Sequence, residues 1–184
     1  MKKLRLSYSL LNTWGRGDVD GAVQTYFHLN KPVTRQMKEG KRIHKDIADH
    51  VEKFNTFPEW LNFKYDLTLP ESEKEVVAEY NEMFDLKGFF DCYDTVDKTV
   101  FEYKSGVSDS LEWARTDQLP FYFLIAELLG LEIDRGILIH FNQYTESTDF
   151  CIVHNSSSKR ERARNLIDSE GPSIHDFFDK QGFI

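Results

Sequence analysis

The sequence predicts an α/β protein in which a mixed central β-sheet is flanked by α-helices. Three observations carry this expectation. Gly88 to Gly106, reading GFFDCYDTVDKTVFEYKSG, holds two aromatic-rich alternating runs joined by the polar loop Thr95-Val96-Asp97-Lys98, the pattern of a β-hairpin. Thr34 to Phe54 sets Ile43, Ile47 and Val51 on one stripe among charged residues, as in an amphipathic helix. Helical and strand patterns then alternate toward the C-terminus, which suits one sheet with helices packed on it.

Taken in order, Ser7 and Ser9 are candidate N-caps for a helix through Leu10, Leu11 and Trp14, closed by Gly15 and Gly17. A second helical stretch runs from Asp20 to Leu29 and ends before Pro32, ahead of the long helix. Pro58 to Pro70 reads as loop with a short strand over Asn62 to Leu69. Glu73 to Phe84 is read as a strand leading into the hairpin, although its acids also suit a helix. Beyond the hairpin, Thr116 is expected to cap an apolar helix that carries Pro120 in its first turn and ends at Gly130. Gly136 to Tyr144 and Asp149 to His154 read as paired strands. Ser156 to Ile167 reads as a helix, broken by Gly171-Pro172 before a short terminal helix, Ser173 to Asp179.

The 184 residues, 40% hydrophobic and 14% aromatic, suit a single domain over residues 1–184 that buries its own core. A net charge of −8 does not suggest a generic polyanion binder. The charge is uneven: Lys31, Arg35, Lys38, Lys41, Arg42 and Lys45 crowd one segment, and Lys159, Arg160, Arg162 and Arg164 another. Taken alone, such runs are solvated helix faces; beside a cleft they would track a phosphate backbone. Cys92 and Cys151 are spaced unlike a zinc site or a disulfide framework and read as small buried residues. No apolar run is long enough to span a membrane, and the start Met1-Lys2-Lys3 lacks the unbroken apolar core of a signal peptide. An intracellular, cytoplasmic protein is expected.

The chemistry concentrates in the hairpin. Glu102 and Lys104 project from one face of the second run. A symmetric loop places Asp91 opposite Glu102, and two directly opposed carboxylates repel each other. A divalent cation between them would make the arrangement tolerable, with Lys104 as a fixed positive charge beside it. The structural alternative is a plain Glu102–Lys104 ion pair that leaves Asp91 to solvent. Gln118 and Tyr122 share a face of the following helix, and His44 stands on the basic amphipathic helix one turn after Gly40; singly, each reads as a structural residue.

Together these residues resemble the PD-(D/E)xK nuclease superfamily and, within it, the RecB-type exonuclease branch. Ser7-x-Ser9-x-Leu11-x-x-Trp14 is similar to that branch's N-terminal signature, and Gly40-x-x-x-His44 to its histidine motif. Gly88-x-x-Asp91 matches the first acid, Glu102-x-Lys104-Ser105-Gly106 the (D/E)-x-K strand, and Gln118-x-x-x-Tyr122 the helix after it. Gly15-Arg16-Gly17 stands where many relatives carry Cys-Pro, and two cysteines cannot hold a four-cysteine iron–sulfur cluster in one chain.

The resemblance implies a restriction-endonuclease-like core and a Mg²⁺- or Mn²⁺-dependent DNA phosphodiesterase, an exonuclease of recombination, repair or phage and mobile-element DNA processing. Asp91, Glu102, the Tyr103 carbonyl and His44 would ligate the metal, and Lys104 would act on the attacking water. Gln118, Tyr122, Lys41 and Arg42 would hold the DNA. A helicase or recombination partner and an oligomer are compatible with it. The alternatives are a binding module that keeps the fold without catalysis and a restriction-like endonuclease.

Overall fold

The computed structural model describes residues 3–29 and 34–184, so Lys31 and Pro32 lie outside the described residues. Six strands form one mixed sheet: β1 (Leu4–Ser7), β2 (Pro70–Glu79), β3 (Phe84–Asp94), β4 (Thr99–Gly106), β5 (Arg135–Asn142) and β6 (Ser147–His154). They run in the order β1-β3-β4-β5-β6, with β2 paired to the other edge of β3. The α/β architecture is the one the sequence predicts. β1–β3 and β4–β5 are parallel and the remaining pairs antiparallel.

Two apolar layers cover the sheet. On one side α1 (Tyr8–Gly15), α2 (Val19–Tyr26), α5 (Gln118–Leu129) and α6 (Ser157–Lys180) pack onto Leu4, Leu6, Phe84, Leu86, Phe90, Val100 and Leu138. On the other, Ile43, Ile47 and Val51 of α3 (Arg35–Phe54) cover Cys92, Phe101, Tyr103, Ile137 and Ile139. A short helix, α4 (Ser110–Ala114), follows β4. Among the described residues no helix is long and apolar enough to cross a membrane.

Several local expectations hold for the physical reason given. Ser7 caps α1 by accepting from the Leu10 N–H, and Thr34 caps α3 by accepting from Met37. Gly130 ends α5 in the left-handed conformation, with φ +68°.

Others are corrected. β1 was not anticipated; four residues with Leu4 and Leu6 inward and Arg5 outward give too short a pattern to stand apart from the helix after it. The expected strand over Asn62–Leu69 is absent, because the Thr68 and Leu69 N–H groups donate to the buried Asp94 carboxylate instead of to a ladder. Asp117, not Thr116, occupies the N-cap position of α5, and the Thr116 hydroxyl donates back to Trp113. Cys92 is buried, but Cys151 is only half-buried.

The break at Gly171-Pro172 does not occur, and α6 is continuous through it. Pro172 forfeits one helical hydrogen bond, yet the usual clash of a proline ring with the preceding Cβ vanishes at a glycine. Ala163, Ile167, Gly171, Ile174 and Phe178 form one buried stripe. A Cβ on Gly171 would stand 3.2 Å from the Phe84 ring, so glycine lets α6 approach the sheet.

Leu6→Ala removes a fully buried side chain from β1 and is expected to lower unfolding free energy by about 2–5 kcal/mol. Arg5→Ala, on the open face of the same strand, should change it by less than about 0.5 kcal/mol. Urea titration of the two variants checks the strand's orientation; equal effects would contradict it.

Candidate active site

The site lies where the sheet splits. On the edge of β3 away from β2, Phe84–Lys87 bond β1 and Cys92–Asp94 bond β4, so residues 88–91 have no strand beside them. The register of the β3–β4 hairpin is the symmetric one predicted, but it ends at Cys92↔Phe101. Beyond Phe101, β4 follows β5 alone. Asp91 and Glu102 therefore face each other across a fork instead of a closed ladder.

A change of phase in β3 aims Asp91 into that fork. Phe90 and Tyr93 both enter the α5-side core, whereas Cys92 enters the α3-side core. The alternation is thus interrupted at Asp91. On β2, Glu73 takes a left-handed φ of +50° at the same level, and its pairing with Asp91 is skipped between Ser72↔Cys92 and Lys74↔Phe90. Such backbone conformations cost on the order of 1–3 kcal/mol for a non-glycine residue and cluster at functional sites. The Asp91 Oδ2 accepts the Tyr103 N–H at 2.6 Å, taking the place of a ladder carbonyl.

Glu102 is almost wholly buried, its side chain 4% exposed. Its Oε1 accepts from Lys104 Nζ at 2.5 Å and from Gln118 Nε2 at 2.6 Å. The second N–H of Gln118 donates to the Tyr122 hydroxyl at 2.9 Å, so the two residues predicted on one face of α5 converge on Glu102. Oε2 of Glu102 is buried with no hydrogen-bond partner among the described residues.

Burial, then the charge of Asp91, pushes the Glu102 carboxyl up to about 7 against the pull of Lys104. Burial likewise pushes Asp91 up to about 6, opposed by the Tyr103 N–H and Lys104. Burial works to lower the Lys104 ammonium, but Glu102 and Asp91 outweigh it and hold it above its ordinary value. The Lys104 ammonium also lies 5.0 Å from the centre of the Trp113 ring, a contact that sequence reasoning missed because α4 carries too few residues to show a period.

His44 reaches the site from α3. Its Nδ1 lies 3.9 Å from Asp91 Oδ1, and its ring meets Tyr103 edge-on. Burial drives its pKa down, which keeps the imidazole neutral and able to ligate. A Cβ on Gly40 would come within 2.8 Å of Ser105 Oγ, so the glycine one turn earlier brings α3 close to β4. Lys41 is exposed on the same helix. Arg42 is paired with Glu39 and Asp46, and Lys45 with Asp49. The second basic run is neutralised similarly, Arg160 and Arg164 by Glu127 and Arg162 by Asp117. Most of these cations are thus the solvated faces the sequence suggested.

A cleft of about 630 Å³ adjoins the site through Gln118 and Tyr122 and is walled also by Arg5, Ser7, Tyr8, Tyr26, His28, Lys87 and Phe89; Asp91, Glu102, Lys104 and His44 do not line it. Arg5 and the half-exposed Phe89 were not anticipated; both stand on the open face of the strands that lead to Asp91.

The donor set suits a hard divalent cation. Glu102 Oε2 and Asp91 Oδ1 have no hydrogen-bond partner among the described residues, and two carboxylates with a neutral imidazole match Mg²⁺ or Mn²⁺. Among the described residues no three His, Cys, Asp or Glu side chains are gathered closely enough to hold a metal ion together, so His44 does not form a ready three-ligand set with Asp91 and Glu102. Mg²⁺ commonly binds through one or two carboxylates, with water and substrate phosphate completing its shell.

No family model and no curated protein sequence matches the chain. Solved structures do. The structure of SSO0001 superposes with a TM-score of 0.57 at 14% identity, covering 92% of this chain and 76% of that one. The alkaline exonuclease LHK-Exo from Laribacter hongkongensis gives 0.54 at 4% identity over 97% and 93% of the two chains, and has also been crystallised with dAMP. A phage-related exonuclease from Haemophilus somnus 129PT gives 0.51 at 11% identity over 98% and 97%. The chain shares the fold of these structures, a mixed sheet flanked by helices.

Both carboxyls have folded-state pKa values raised above their unfolded ones, so the folded state binds protons more tightly. The stability this contributes is present below about pH 4 and is lost as pH rises through about 6 and 7. In EDTA, wild type should therefore melt at a lower temperature at pH 8 than at pH 5. Asp91→Asn and Glu102→Gln should each flatten that slope, and added Mg²⁺ should raise the wild-type melting temperature at pH 8. An unchanged slope in both variants would contradict the assigned burial cost.

Proposed function

We propose that this chain is a divalent-metal-dependent deoxyribonuclease that degrades DNA from its ends, built as one domain over residues 1–184. The observation that carries the reading is the buried Glu102 Oε2 without a partner, set across the fork from Asp91 and beside Lys104. A buried carboxylate oxygen left unpaired is costly, and a cation bound there would offset the cost.

Asp91, Glu102 and the Tyr103 carbonyl would hold Mg²⁺ or Mn²⁺, with His44 completing the set. When bound, the ion would polarise the scissile phosphate and lower the pKa of a coordinated water. Lys104 supplies the positive charge next to the reacting phosphate and orients the attacking water. Gln118 fixes the Glu102 carboxylate while Tyr122, on its other side, faces the cleft and positions the strand. Placement of this kind is worth up to about 10²-fold in rate per ångström of error. Lys41 and Arg42 on α3 would meet the backbone on the opposite side of the fork.

The exonucleolytic choice is supported by the cleft beside Gln118 and Tyr122, walled in part by Tyr26 at the end of α2 and by His28 just beyond it. It also agrees with the exonuclease names of two of the structural neighbours, one of which has been crystallised with dAMP. An intracellular role in recombination, repair or phage and mobile-element DNA processing, alongside a helicase or recombination partner, belongs to this reading.

One observation favours a second reading, a nuclease-fold module that binds nucleic acid or protein without cleaving it. Lys104 and Glu102 form a close ion pair with little exposure. That pair accounts for Oε1 and the Tyr103 N–H accounts for Asp91, but the buried Glu102 Oε2 is left without a partner.

The discriminating assay compares linear and circular DNA, single- and double-stranded, with Mg²⁺, Mn²⁺ or Ca²⁺. Linear DNA should be degraded with Mg²⁺ or Mn²⁺, circular DNA should resist, and Ca²⁺ should support binding without turnover. Lys104→Ala should lose about 10²–10⁴-fold in kcat. Wild type that cleaves nothing with any of these ions would sink the nuclease reading, and cleavage of circular DNA would favour the endonuclease.

A further inference from the structure

One buried titratable side chain has no part in the proposed reaction. His140 of β5 is 1% exposed, and its Nδ1 lies 2.8 Å from Asp149 Oδ1 on β6. The other oxygen of Asp149 accepts the Ser110 N–H at the start of α4, at 2.7 Å. Against burial, hydrogen bonds from Ser110 and His140 hold the Asp149 carboxyl below its ordinary value, so it is a carboxylate and can only accept. Nδ1 of His140 is therefore the donor. Nε2 is left without a partner in a fully buried position.

The neighbour of His140 across the parallel ladder is Lys104. Paired residues on adjacent strands stand about 4.8 Å apart and project from the same face. That face is confirmed by the pair two residues earlier, where Glu102 is the partner of Leu138 and Leu138 packs in the α5-side core. Trp113 of α4, the helix anchored by Asp149, covers Lys104. An imidazole fixed by a carboxylate through Nδ1, beside a lysine, is a fixed hydrogen-bond acceptor waiting for a donor. In the ion pair Lys104 is committed to Glu102 Oε1, an oxygen of the carboxylate proposed to hold the cation.

We propose that His140 is the positioning residue for Lys104, its Nε2 accepting an ammonium hydrogen bond once a cation at Glu102 Oε2 draws charge from the carboxylate that holds the lysine through Oε1. Asp149 sets the tautomer and α4 closes the pocket over the lysine. The inference rests on the nuclease reading above. It assigns His140 no contact with metal or DNA.

His140→Asn and His140→Gln separate this from a structural role. Asparagine keeps a donor near the Nδ1 position for Asp149 and leaves nothing at Nε2; glutamine extends an acceptor toward the Nε2 position. With circular dichroism and melting near wild type, His140→Asn should lose about 100-fold in kcat with KM and Ca²⁺-supported DNA binding unchanged. His140→Gln should recover part of that loss. As a readout independent of turnover, the ¹⁵N resonance of His140 Nε2, assigned with His140→Asn, should shift when Ca²⁺ is added to wild type and stay fixed in Lys104→Ala. A folded His140→Asn with wild-type kcat would overturn the proposal, as would a Ca²⁺ shift that persists without Lys104 or an Nε2 that carries a proton. A wild type that cleaves no DNA would instead remove the nuclease reading, and the resonance would still decide whether Lys104 turns to His140.

Discussion

The structure depends on one hydrogen bond that a regular sheet would not contain. The Asp91 side chain accepts the Tyr103 N–H, where a hairpin would offer a backbone carbonyl. It satisfies a buried donor while allowing β3 and β4 to part, so the sheet forks without leaving that N–H orphaned. Everything in the site follows from the parting. Residues 88–91 of β3 keep a free edge, while β4 beyond Phe101 is held by β5 alone and its Glu102 accepts from Gln118 of α5.

The electrostatics of the fork are held in deliberate tension. Burial raises both carboxyls, the charge of Asp91 raises Glu102 further, and the single ammonium of Lys104 offsets only part of that. Gln118 adds a neutral donor to Glu102, which fixes its orientation without cancelling its charge. The left-handed Glu73 beside Asp91 adds backbone strain and a further negative charge. A fold selected for stability alone would resolve these costs with an apolar pair at the two positions, which often matches or exceeds a buried ion pair. Their retention is what the proposed cation would account for, because it would supply the missing positive charge.

Much of this was legible in the sequence because it rests on short-range periodicity. The hairpin register follows from loop symmetry and strand alternation, and it correctly set Asp91 at the level of Glu102. The α3 stripe of Ile43, Ile47 and Val51 and the spacing of Gln118 and Tyr122 are helical patterns that tertiary packing preserved. What escaped is what only tertiary contact defines. The fork itself is invisible to alternation, since it arises from a phase change at Asp91 and a left-handed Glu73 on another strand. β1 and α4 are too short to carry a period, so Arg5 and Trp113 went unremarked. His140 lay inside a correctly predicted strand, yet its importance is set by Lys104 and Asp149 on the strands to either side. Gly171-Pro172 misled because each residue alone interrupts a helix, whereas together they relieve the clash and let α6 lie close against Phe84.

The central claim is that the fork is completed by a divalent cation held between Asp91 and Glu102. Calorimetric titration of Mn²⁺ into the metal-free protein at pH 7 addresses it without reference to catalysis. Binding near one equivalent is expected, with a heat that depends on the ionisation enthalpy of the buffer, because carboxyls pushed up to about 6 and 7 release protons to the buffer as the metal binds. Asp91→Asn and Glu102→Gln should each abolish it. Binding that survives in both folded variants, or no binding to wild type at millimolar Mn²⁺, would contradict the account.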